Sequence, residues 1–135
     1  MLPLLNSLAM NQHNIDLNNF ANLLLIAYAD KKFTHEELSF LADKAIELGL
    51  SDQEIKNLLN NIENLKFITP KTQEQKEKQL TDAIYLTMID GNINPKEYQL
   101  CLTLAKKLDL SEKYLNNLIN LVKKLWQNYD SAHGK

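Results

Sequence analysis

The strongest constraint on this chain is a pattern that returns after sixty residues. Ala29-Asp30-Lys31-Lys32-Phe33-Thr34-His35-Glu36-Glu37-Leu38 is echoed by Ile89-Asp90-Gly91-Asn92-Ile93-Asn94-Pro95-Lys96-Glu97-Tyr98. In each copy an Asp is followed seven residues later by a Glu, with an apolar residue, Phe33 or Ile93, between them. Shifted by sixty, residues 24–65 align with 84–125 without a gap, and ten of the 42 positions are identical. A Leu-rich chain yields some matches by accident. Here the helix-capping residues fall in register as well as the apolar ones, and that agreement across levels argues for a duplication.

Local signals divide each copy into three helices. Thr34 to Glu37 reads as a capping box, and Asn94-Pro95-Lys96-Glu97 as the same start with Pro at the first helical position. These open helices over about 35–48 and 95–108, with Leu38, Leu41, Ala45 and Leu48 inward in the first and Tyr98, Cys101, Ala105 and Leu108 inward in the second. Gly49 is a left-handed stop. Ser51 with Glu54 opens a further helix to about residue 62, carrying Ile55, Leu58, Leu59 and Ile62. Ser111 opens its counterpart, carrying Leu115, Leu118, Val122 and Leu125. Preceding each pair is an apolar helix. The first runs over about 17–29, with Asp16 as its cap and Leu17, Phe20, Leu24, Ala27 and Tyr28 on one stripe. The second follows a polar turn from Lys71 to Lys78 and carries Leu80, Ala83, Ile84, Thr87 and Met88. A short helix over 3–10, a loop over 11–14, a linker over 63–71 and a flexible tail over 130–135 complete the expectation.

The predicted fold is therefore all-α: two pseudo-symmetric three-helix repeats, about 17–65 and 77–126, packed into one helical domain over 1–135, plus a short N-terminal helix. Neither repeat buries much core alone, so the two are expected to share one.

Composition excludes several function classes. Net charge is −2, and all fifteen basic residues are Lys. The chain thus has neither the electrostatic footprint nor the bidentate Arg fork of a nucleic-acid binder. No stretch is long and apolar enough to span a membrane, and the first ten residues lack the basic start of a signal peptide. The single cysteine, Cys101, cannot form an internal disulfide, which points to a reducing, cytoplasmic setting. No catalytic triad spacing, Gly-rich phosphate loop or zinc motif is present. Cys101 lies on an inward stripe and His35 at an exposed first helical position, so neither reads as a reactive group. His13 and His133 fall in the predicted loop and tail. Trp126 is expected to close the core where the last helix ends.

The residues that could carry chemistry are Asp30, Glu37, Asp90 and Glu97. The two Glu are accounted for as cap residues. The two Asp are harder to account for, because each ends a helix, where the macrodipole disfavours an anion. Backbone amides of the next turn could offset that cost, and so could a bound cation. Oxygen-only ligands suit Ca²⁺, Mg²⁺ or Mn²⁺, and a pseudo-two-fold bringing the loops together would converge four carboxylates. The second loop is not an EF-hand. Its first and third ligand positions would be Leu86 and Met88, and Lys31 replaces the required Gly in the first copy.

This doubled pattern of apolar helix, Ala-Asp or Ile-Asp-Gly, apolar residue, spacer and Glu resembles the TerB family of bacterial tellurite-resistance-associated proteins, over residues 17–126. The resemblance implies a pseudo-symmetric helical domain with an acidic metal site, here at Asp30, Glu37, Asp90 and Glu97. It also implies a partner protein in stress response, often membrane-associated. Lys31 and Lys32, standing where the second copy has Gly91 and Asn92, depart from the pattern and weaken the first half of that site. The expected function is a non-enzymatic domain binding a divalent cation or a partner through the two loops, with an interaction adaptor lacking any metal site as the alternative. A hydrolase using a metal-activated water is disfavoured, since no separate base or nucleophile accompanies the carboxylates.

Overall fold

The structure, a computed structural model, describes residues 2–89 and 91–132, with side-chain surroundings for 11–89 and 91–128. Six α-helices and no strand are found among the described residues: α1 (Leu2–Ala27), α2 (His35–Glu47), α3 (Asp52–Asn60), α4 (Gln73–Thr87), α5 (Pro95–Lys107) and α6 (Glu112–Ala132). Single 3₁₀ turns follow α1 at Tyr28–Asp30 and α3 at Ile62–Asn64. The chain divides into two compact units, Met1–Pro70 and Lys71–Lys135.

The first unit departs most from expectation. A short helix, a loop over 11–14 and a cap at Asp16 are replaced by one helix of 26 residues. No Gly or Pro lies between Leu4 and Ala27, and the Asn and Gln in that stretch cost only a few tenths of a kcal/mol each in a helix. Asp16 is an interior residue, and its Oδ1 accepts from Gln12 Nε2 at 2.9 Å one turn back. Beyond it, Phe20 to Leu24 together with Ile26 and Ala27 are all buried, as suits a helix that is apolar nearly all round. α2 packs on α1 with Leu41 and Ala45 buried. Leu38, expected inward, is 46% exposed.

α3 is short and loosely covered. None of its residues is fully buried, and Leu59 is 38% exposed. Its counterpart in the second unit behaves differently. There α4, α5 and α6 pack pairwise. Leu80, Ala83, Ile84, Met88, Cys101, Ala105, Leu108, Leu115 and Val122 are buried as expected, joined by Leu86, Leu104 and Ile119. Leu125, expected inward, is 47% exposed. α4 begins earlier than the expected polar turn allowed, because Thr72 caps it by accepting from the Gln75 N–H at 3.2 Å. α6 extends to Ala132, through most of the predicted tail. His133 lies outside the described residues.

Local backbone geometry recurs sixty residues on. α2 and α5 have matching bounds, and each opens with a capping box, Thr34 with Glu37 and Asn94 with Glu97. Lys31 and Gly91 are both left-handed, at φ 68° and 91°. Each donates its N–H to the carbonyl three residues back, Tyr28 at 2.9 Å and Met88 at 2.8 Å. Gly49 and Asp109 are also left-handed, at φ 70° and 58°. Each helix thus ends in a Schellman motif: Leu50 N–H donates to Ala45 O at 3.0 Å, and Leu110 N–H to Ala105 O at 2.8 Å. Lys31 and Asp109 hold conformations that favour Gly, at a cost of about 1 kcal/mol each.

A Cβ at Gly49 would meet nothing within 4 Å, so substitution there tests backbone strain alone. Gly49→Ala is expected to lose about 1 kcal/mol in urea unfolding, and Gly49→Asn about half as much, since Asn tolerates the left-handed region.

Candidate functional site

The acidic loops are built as helix starts. Glu37 Oε1 accepts the Thr34 N–H at 2.8 Å, and Thr34 Oγ1 accepts the Glu37 N–H at 3.1 Å. Glu97 Oε1 accepts the Asn94 N–H at 3.0 Å, and Asn94 Oδ1 accepts the Glu97 N–H at 2.8 Å. Asp30 is exposed at the end of its 3₁₀ turn, where its Oδ1 accepts the Lys32 N–H at 3.3 Å. That amide is one of the two partners expected to offset the unfavourable helix-end position. The Lys31 ammonium turns instead to Glu63 at 3.3 Å and lies 5.4 Å from the centre of the Tyr28 ring. Asp90 lies outside the described residues. Among the described residues no group of three or more His, Cys, Asp and Glu is arranged to hold a metal ion.

The side chains that come together are elsewhere, in the first unit. Between α1, α3 and the segment after α3 lies an open groove of about 570 Å³. Leu17, Ala21, Leu58 and Leu65 supply its apolar surface, with Asn18 and Asn64 among the polar groups that line it. Two contacts join the walls. His13 Nε2 lies 2.6 Å from Glu54 Oε2, so α1 meets the start of α3. Farther along, the Asn22 carboxamide bonds both main-chain groups of one residue: Nδ2 donates to Ile68 O at 2.7 Å, and Oδ1 accepts the Ile68 N–H at 3.0 Å. His13 and Asn22 are nine residues apart, so the contacts are separated by about 14 Å of helix.

Asn22 is 0% exposed. It satisfies both main-chain groups of Ile68, which a loop folded onto an apolar helix would otherwise leave unpaired. Sequence reasoning took 63–71 as a linker and did not single out Asn22. The available signal was a lone carboxamide inside the run Phe20 to Ala27. His13 was missed because it was placed in a loop rather than on a helix face.

Glu54 is held below the usual carboxylate range, first by the Ser51 N–H and then by the His13 ring. Cys101 is 1% exposed beside Thr87 Oγ1 at 3.6 Å, and burial pushes its thiol up. His35 is exposed at the start of α2, and Trp126 is half-buried. Tyr98 is half-buried with its hydroxyl 3.1 Å from Glu112 Oε2 and 2.9 Å from Asn116 Oδ1, so it ties α5 to α6.

Comparisons with known protein families, curated proteins and solved structures find no match. Among the described residues no helix is long and apolar enough to cross a membrane.

Asn22→Leu fills the same space but strands the Ile68 N–H and C=O. It is expected to lose about 2–3 kcal/mol and to speed hydrogen exchange at the Ile68 amide more than at Leu80. The Glu54 contribution has a defined sign. A carboxyl lowered in the folded state stabilises above its unfolded value of about 4.3, and that stability is lost as pH falls through the folded value. The stability advantage of wild type over Glu54→Gln should therefore shrink as pH falls from about 5 toward 3 in parallel urea titrations.

Proposed function

We propose that this chain is a non-enzymatic, TerB-like helical domain whose two repeats pack as a pseudo-symmetric pair and which acts by binding a partner protein through the groove of its first unit. One observation carries this reading. The apolar positions Ile55 and Leu59 of α3 and Ile62 of the 3₁₀ turn after it remain partly exposed, whereas their counterparts sixty residues on, Leu115, Ile119 and Val122 of α6, are buried. The duplicated pattern thus leaves one copy with an uncovered face beside an open groove. The acidic loops act in this reading as helix caps. The resemblance to TerB-like domains directs the search toward a cytoplasmic stress-response partner, membrane-linked or not.

The partner is identified by photo-crosslinking from Asn57, at the groove edge, and its affinity is then measured with purified components. Leu58→Asp should weaken that complex at least about tenfold, while the Asp30→Ala/Glu97→Ala pair should leave it unchanged. The opposite pattern overturns the groove as the site.

A divalent cation at the loops is the second reading. Asp30, exposed at a helix end, motivates it, and Asp90 with Glu97 form the better pair because Gly91 replaces Lys31. Calorimetric titration with Ca²⁺, Mg²⁺ and Mn²⁺ decides it. Saturable binding abolished by Asp90→Ala supports the cation; no saturable heat with any of the three removes it.

A further inference from the structure

We infer that the ligand of this groove is an extended peptide segment, whose main chain Asn18 reads as Asn22 reads Ile68. This rests on the partner-binding reading above and specifies the ligand.

The molecule already contains one instance of the recognition. The chain from Leu65 to Pro70 has no helical structure, and Leu65 is extended at φ −69°, ψ 144°. It lies against α1, and the buried carboxamide of Asn22 bonds both the N–H and the C=O of Ile68. A carboxamide suits this task because it offers a donor and an acceptor side by side. Asn18 is four residues earlier on α1 and therefore on the same face, one turn along. It is half-buried and lines the groove. Asn22 is satisfied by the chain's own segment, and Asn18 stands one turn farther into the open part.

The ligand's conformation follows from its hydrogen bonds. A helix directs its main-chain N–H and C=O groups along its own axis into its own bonds, so a carboxamide at its side cannot bond both groups of one residue. An extended segment presents both groups of a residue sideways. The span of about 14 Å between the two contacts accepts about four extended residues. Leu17, Ala21, Leu58 and Leu65 would seat an apolar side chain. The charges fix the polarity of the rest. The Glu54 carboxylate is occupied by Ser51 and His13, whereas Lys66 contributes an exposed ammonium to the lining. The complementary segment therefore pairs an apolar residue with a nearby Asp or Glu.

A displayed library of linear octapeptides is selected on the full chain, with counter-selection on Leu58→Asp. The best peptide is then synthesised with single backbone N-methyl groups at each position. Binding is measured to wild type, Asn18→Leu and Asn18→Asp, each checked for wild-type circular dichroism and cooperative unfolding. The expected result is a selected motif combining an apolar with an acidic residue. One N-methyl position should weaken binding to wild type about tenfold, and that penalty should vanish against Asn18→Leu. Lys66→Glu should weaken the same peptide. The inference is overturned by three results: no peptide enriched over the Leu58→Asp counter-selection, a selected peptide that becomes helical on binding, or affinity indifferent to both N-methylation and Asn18→Leu. If a partner crosslinks at the groove under Leu58 control and no extended peptide is found, only the present inference falls. If neither is found, the partner-binding reading falls with it.

Discussion

The first unit is organised by a single buried amide. Asn22 lies within an apolar stretch of α1 and bonds both main-chain groups of Ile68. Folding an irregular segment onto an apolar helix is unfavourable unless its N–H and C=O groups find partners, since each unpaired buried group costs about 1–3 kcal/mol. One carboxamide bonds two main-chain groups at once. With Ile68 fixed, the chain after α3 is fixed too, and with it one wall of the groove. The contact between His13 and Glu54 holds the other end at the first turn of α3. Between those contacts the groove is open, and the partner-binding reading of this unit derives from that space.

The two units share local backbone design and differ in packing. Capping boxes, left-handed residues and Schellman bonds recur sixty residues apart, even where the residue type has changed. Lys31 occupies a conformation that Gly91 accepts more easily, and Asp109 does so in place of Gly49. The backbone path survives these replacements because it is held by several hydrogen bonds, each worth about 1 kcal/mol, against a comparable local cost. Packing has less local support. α6 is 21 residues long and buries Leu115, Ile119 and Val122, while α3 has nine residues and buries none.

The acidic loops show how far a motif can be read. Glu37 and Glu97 occupy the third helical position after a cap residue, and their bonds to Thr34 and Asn94 are those the spacing implies. Asp30 is the residue whose partner the spacing left open, and one of its oxygens accepts from Lys32 N–H.

The all-helical class, the capped starts of α2, α3 and α5, and the sixty-residue periodicity were determined by the sequence alone, because they depend on contacts within four residues and on apolar spacing. The N-terminal helix was misread for a related reason: weak local preferences over residues 11–16 were overridden by the burial of the turns that follow. The groove, the His13–Glu54 contact and the Asn22–Ile68 bonds span 41 and 46 residues. No local preference encodes a partner at that distance. Only the tertiary structure could decide which carboxamide in an Asn-rich chain would be buried and which carbonyl it would meet.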